Sequence, residues 1–208
     1  IYGIPFMYAP QMLYYRKDLF ADSALRAEFE RETGASLRPP TTLKEYNAVA
    51  AFFTRSTDAV DYGVSVAAAY NECFAPELYF RLHAFQSQIL GDDGMPAFDN
   101  PQTLKAYINF RRTIHLAKPD YLQATDVSIV DDFLRGDTAM LITYPSFLTN
   151  STDLRRSSTS IGCSLVPGRR PLLGGWSFGV SRQSAQREQA LAFLRWTCDE
   201  GISNYFTI

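Results

Sequence analysis

Several protein classes are excluded by what this sequence has little of. Its 208 residues contain three cysteines, Cys73, Cys163 and Cys198, and two histidines, His83 and His115. The cysteines are far apart and odd in number, no CxxC occurs, and neither histidine lies near a cysteine in sequence. No zinc site, disulfide framework or cofactor is therefore expected, and the thiols are expected to be small buried hydrophobes. No apolar run reaches the roughly 18 residues of a membrane-spanning helix. Positive charge is not in excess: 20 Lys and Arg face 22 Asp and Glu, for a net charge of −2. A nucleic-acid partner, which would favour a basic stripe, is not expected. No secretory leader is visible and no initiator Met precedes Ile1, so Ile1 is expected to be a processed or cut start. GxSxG, HExxH, Walker A and GxGxxG are all missing. The adjacent acids Asp92-Asp93 and Asp131-Asp132 are expected on a turn and a helix surface. A glycosidase would instead need two carboxylates roughly 5–9.5 Å apart across a cleft. No catalytic residue and no metal ligand is assigned.

What the chain does have is rings. Aromatic residues make up 14% of it, with 12 Tyr and 15 Phe, in an otherwise ordinary composition of 46% apolar and 20% charged residues. It opens "IYGIPFMYAPQMLYYRKDLF", where Ile4, Phe6 and Tyr8 alternate with Pro5, Met7 and Ala9. That pattern predicts a strand, broken at Pro10 and followed by a more continuously apolar strand, Met12 to Tyr15. Asp22 or Ser23 starts a helix stopped at Gly34. Thr42 with Glu45 forms a capping box, and Tyr46, Val49, Ala50 and Phe53 lay an apolar stripe on the helix that follows. "DYGVSVAAA" predicts a short strand, and Cys73 to Leu90 a long helix. Asn100 and Pro101 open another helix to about Lys118, with Tyr107, Phe110, Ile114 and Ala117 at helical spacing. A shorter helix runs from Asp126 or Ser128 to Gly136. "DTAMLITYP" is a buried strand, "STDLRRSSTS" a solvated loop, and "GCSLVPG" and "GGWSFGVSRQS" are strands. Ser184 caps a helix to Cys198, with Leu191, Leu194 and Cys198 on one stripe, and "EGISNYFTI" begins another. Alternating helices and short strands give an α/β class.

Rings stand beside turn breakers at three places: Tyr8 before Pro10, Tyr144 before Pro145, and Trp176 after Gly174-Gly175. Ligands of α/β sheets gather at strand ends. A ring face suits the C–H face of a sugar and planar polar groups suit its hydroxyl rim. The pattern favours a binding module. A carbohydrate-active enzyme or accessory carbohydrate-binding domain remains open, as does an interaction domain whose rings are buried.

The order of "YGIPFMYAPQMLYYRKDLF", "RPPTTLKEYN", "FLRGDTAMLITYPSF", "VPG" and "GGWSFGVSRQSAQREQALAFLRWTCDEG" resembles the family 1 extracellular solute-binding proteins. These are the maltose-binding-like, sugar-binding receptors of bacterial ABC importers. Arg16, Leu43 and Thr138 stand where the pattern usually has Asn, Trp and Ala. The resemblance implies two α/β lobes joined by crossing strands, the type II periplasmic-binding-protein architecture. Residues 1–14 would be a hinge strand, 15–173 the second lobe, and 174–208 the return crossing and part of the first lobe. The rest of the first lobe would lie outside this fragment. The same resemblance implies a cleft lined by Tyr8 and Ala9, by Tyr70, Asn71 and Glu72, by Tyr144, Ser146 and Phe147, and by Gly175 and Trp176. Maltose-type members often carry an acid near Ala9 and a Trp near Ser146, so this chain departs from the malto-oligosaccharide pattern. It further implies a non-catalytic receptor, monomeric when intact, in the periplasm or lipid-anchored at the cell surface. Such a receptor would bind a small carbohydrate and serve membrane permease subunits.

Overall fold

This computed structural model describes residues 3–70, 73–151 and 160–202, in two compact units. The smaller unit takes the residues up to Ala9 together with those from Leu173 onward, and the larger runs from Pro10 to Leu172. The chain therefore passes between units twice.

In chain order the larger unit holds the end of β1 (Ile4–Pro10), then β2 (Met12–Arg16), α1 (Lys17–Ala21), α2 (Ser23–Thr33), α3 (Leu43–Arg55) and β3 (Tyr62–Val64). There follow α4 (Phe74–Ala84), α5 (Pro101–Ile114), α6 (Asp126–Arg135), β4 (Thr138–Thr143), α7 (Pro145–Thr149) and β5 (Ile161–Leu165). Four strands form a sheet in the order β3-β4-β2-β5. β3 and β4 are parallel, and β2 runs antiparallel to β4 and β5, with Leu13 opposite Ile142 and Ser164. Every residue of β4 is buried, as its continuous apolar run predicts for a strand covered on both faces.

Local chemistry sets the helix ends. Asp22 accepts from the Ala24 and Leu25 amides at 2.8 and 2.9 Å, and Gly34 ends α2 at φ 70°, a left-handed conformation that disfavours side chains. Thr42 and Glu45 cap α3 reciprocally, and all four expected stripe residues are buried. Against this helix lies β3. A Cβ on Gly63 would sit 2.0 Å from the Ala50 carbonyl oxygen, so only glycine allows the approach. Thr54 Oγ1 accepts from the Gly63 amide at 2.8 Å and lies 3.0 Å from the Leu116 carbonyl oxygen, tying α3, β3 and the end of α5 together.

Several expectations need correction. Cys73 is buried, but Cys163 and Cys198 are exposed. Asp132 is not a surface residue: it is 4% exposed and takes ion pairs from Lys118 at 2.8 Å and from Arg135. The strand expected across "DYGVSVAAA" is paired as a ladder only at Tyr62–Val64. α4 stops at Ala84 rather than Leu90, because Gln86 turns left-handed at φ 57°. Two short helices, α1 and α7, follow the strands β2 and β4 where the sequence predicts no helix. In α5 the buried residues are Thr103, Ala106, Asn109, Phe110 and Thr113, while Tyr107 is exposed. Polar groups occupy that face because they pair with neighbouring segments: Thr113 Oγ1 donates to Asn47 Oδ1 of α3 at 2.8 Å, and the hydroxyls of Thr103 and of Ser87, beyond the end of α4, are 2.6 Å apart. The loop expected at 151–160 and the helix expected in 200–208 fall largely outside the described residues.

The smaller unit contains β1, β6 (Leu173–Phe178) and α8 (Arg187–Thr197), with β1 and β6 paired in a two-stranded sheet. α8 begins at Arg187, two residues later than expected, and of its predicted stripe only Leu194 is buried. Its rings run in sequence: Phe6 to Phe178 at 4.4 Å, Phe178 to Phe193 at 6.1 Å, and Phe193 to Trp196 at 5.7 Å.

Candidate functional site

Parallel β3 and β4 open their carboxyl ends at one edge of the sheet, where α/β folds collect ligands. From β3 the chain continues to Tyr70, supported by Ala68 and Ala69 amides that donate to the Tyr121 and Ala124 carbonyls at 3.0 Å. From β4 it continues into Tyr144 and α7, where Pro145 at the first helical position sets the turn. Tyr144, Ser146 and Phe147 thus share one turn, each half-buried, with the two rings 6.3 Å apart. Tyr70 is fully exposed.

Two acids also reach this edge, neither singled out from the sequence as a binding group. Asp126 opens α6 and accepts from Thr143 Oγ1 at 2.8 Å, which fixes the carboxylate beside the last residue of β4. Glu77, 4% exposed in α4, accepts from Arg81 Nη1 at 2.6 Å. Burial pushes the Glu77 carboxyl up, the Arg81 charge opposes this, and Asp126 adds to it. Burial, then the charges of Asp126 and Glu77, push the Tyr144 phenol up to about 12, so Tyr144 keeps its proton at neutral pH and can donate it to a ligand oxygen. Arg81 lies with its guanidinium 4.4 and 4.7 Å from the Phe80 and Phe110 ring centres, so it holds Glu77 from within the core. Sequence reading takes Asp126 for a helix start alone. Its tie to Thr143 spans 17 positions and is visible only in the fold.

In the smaller unit, Tyr8 and Ala9 lie on β1 and Gly175 and Trp176 on its neighbour β6. Side chains alternate along a strand, so Tyr8 shares a face with Phe6 and Trp176 with Phe178. The Phe6–Phe178 contact makes these the same face. Tyr8 is 65% and Trp176 70% exposed. The structure therefore gathers the expected residues in two groups, one per unit. Asn71 and Glu72 lie outside the described residues. Among the described residues no cluster of His, Cys, Asp and Glu could hold a metal ion, and no helix is long and apolar enough to cross a membrane.

A two-unit α/β chain with rings and hydroxyls at its strand ends has the features of a solute receptor. Residues 1–205 match the profile of the bacterial extracellular solute-binding proteins, and the chain belongs to that family. A candidate binding protein of Brucella abortus is 24% identical over 201 residues, which cover 93% of this chain and 45% of that protein. The chain thus spans about half the length of the curated relatives it matches. Maltose-bound MalE3 of T. maritima superposes with a TM-score of 0.78 at 21% identity, over 99% of this chain and 52% of that one. An ABC transporter solute-binding protein of Agrobacterium radiobacter in complex with ribitol gives 0.76 at 22%, over 99% and 51%. One of Thermotoga lettingae bound with α-D-tagatose gives 0.72 at 20%, over 96% and 53%. These likenesses fix the fold as the type II periplasmic-binding-protein architecture over about half its length.

Proposed function

We propose that this chain is part of an extracytoplasmic receptor that binds a sugar or polyol and passes it to the permease subunits of an ABC importer. In this reading the larger unit is most of the second lobe, and the smaller unit holds the hinge strands with part of the first. Each lobe supplies part of the contacts, and ligand favours the closed form through its higher affinity for it. The observation that carries the reading is the group at the carboxyl edge of the sheet: a protonated phenol, an oriented carboxylate and a ring within one stretch of surface. Those groups meet the alternating C–H and hydroxyl surfaces of a polyol. Tyr8 and Trp176 offer the second set of rings. Family membership and relatives holding maltose, ribitol and tagatose support the ligand class. Ala9 and Ser146 favour a ligand other than a malto-oligosaccharide. The group does not favour an enzyme, since Glu77 is engaged by Arg81 and Asp126 by Thr143.

Calorimetry of the intact receptor against maltose, ribitol, D-mannitol and D-tagatose tests this. Binding of one of them at micromolar strength, about −8 kcal/mol, with a shift in Trp176 fluorescence, is the expected result. A folded receptor that binds no sugar or polyol overturns the proposal. With half the contacts, the 208-residue chain alone binds at roughly millimolar strength at best.

A further inference from the structure

The two passages between the units are built alike. On the first, Pro10 precedes Gln11, and on the second, Pro171 precedes Leu172. Gln11 and Leu172 are joined twice: the Gln11 amide donates to the Leu172 carbonyl at 3.0 Å, and the Leu172 amide donates to Gln11 Oε1 at 3.3 Å. Gln11 is only 3% exposed. This is the point where strand partners change, since β1 pairs with β6 and β2 with β5. A side-chain oxygen therefore takes the place of a ladder carbonyl where the ladder is interrupted. Each proline removes a donor, fixes its own φ and holds the preceding residue extended, so rotation at both passages is restricted beside the bonded pair.

We infer that Gln11 is a positioning residue, a clasp that locks the two passages side by side so that motion between the units does not turn at the Gln11–Leu172 pair. The inference rests on the reading of the units as parts of two lobes that move. The side-chain oxygen is the essential group, because without it the half-buried Leu172 amide has lost its acceptor.

Three variants of the intact receptor separate the cases: Gln11→Met keeps the volume and removes the acceptor, Gln11→Glu keeps an acceptor, and Gln11→Ala removes both. The first measurement is hydrogen exchange at the Leu172 amide, with the Ala139–Ile142 amides of β4 as the internal standard. The second is the distance distribution, without ligand, between spin labels on Gln102→Cys in α5 and Glu188→Cys in α8, with Cys163 and Cys198 replaced by Ser. Gln11→Met and Gln11→Ala are expected to speed Leu172 exchange by about tenfold with β4 unchanged, and to broaden the distribution about twofold. Gln11→Glu is expected to restore both. Faster exchange with an unchanged distribution overturns the inference, because the clasp is then structural only, and so does unchanged exchange. Neither readout needs ligand, so a receptor that binds no sugar or polyol would sink the function proposed above without altering this result.

Discussion

The two units bury their rings to very different degrees. In the larger, Phe20, Phe29, Phe52 and Phe53 form a chain of ring contacts at 5.2–5.6 Å, each at most 7% exposed. In the smaller, Phe6, Phe193 and Trp196 touch in the same manner yet stay 43, 51 and 48% exposed, and Leu194 is the only buried apolar residue among those described. Ring contacts alone therefore do not make a core. Stability follows the apolar area removed from water on all sides, at about 25 cal/mol per Å², and among the described residues nearly all of the buried apolar core lies in the larger unit.

Four experiments can break or sharpen that contrast. The largest effect is expected at Phe53, which is wholly buried: Phe53→Ala lowers the stability of the larger unit by about 3–5 kcal/mol in urea unfolding followed by far-ultraviolet circular dichroism. The same change at Phe193 should cost under about 1 kcal/mol, because that ring is already half in water; equal losses at the two sites would refute the contrast. Next is Gly63→Ala, which forces β3 and α3 apart at the Ala50 carbonyl and should cost about 1–3 kcal/mol by the same measurement. A third test uses the placement of both tryptophans, Trp176 and Trp196, in the smaller unit. In the 208-residue chain, Trp fluorescence should change at lower urea than the circular dichroism signal; coincident transitions would mean that the units unfold as one. The smallest effect concerns Glu45, whose carboxyl the Thr41 amide and hydroxyl hold below its usual range. Its folded pKa lies below the unfolded one, near 4.3. The stability it contributes is therefore fully present above that value and is lost as pH falls through the folded pKa. NMR titration of the Glu45 side chain should show the low midpoint, and Thr42→Ala should cost about 1 kcal/mol through the same capping box.

Much of the larger unit was legible because its signals are short-range. The caps at Asp22, Thr42 and Asn100 each bond an amide two or three residues on, so residue type and spacing suffice, whereas the cap of α6 is Thr125 and not Asp126 or Ser128. α4 was read too long because nothing in its composition announces the left-handed Gln86. Of the stripe expected on α5, Phe110, Ala117 and the half-buried Ile114 pack on the core and Tyr107 does not; Thr103, Asn109 and Thr113 were missed because they look like surface residues until their partners 16 to 66 positions away are known. The site divided along the same line. Tyr8, Tyr144 and Trp176 stand out in the sequence beside their turn breakers, as candidates only. Asp126 and Glu77 were not singled out as binding groups, because the Asp126–Thr143 bond spans 17 positions and the Glu77–Arg81 pair, one turn apart in α4, takes its meaning from its burial in the fold.

β2 has a consequence for how the molecule comes into being. Met12–Arg16 is paired on one side with Thr138–Thr143 and on the other with Ile161–Leu165. At ribosomal speeds of 5–20 residues per second, roughly 6 to 25 seconds separate the making of this strand from that of its first neighbour. During that interval neither ladder neighbour of the strand has been made. Assembly of this sheet must wait for a late arrival, because its central pairings join residues more than 120 positions apart.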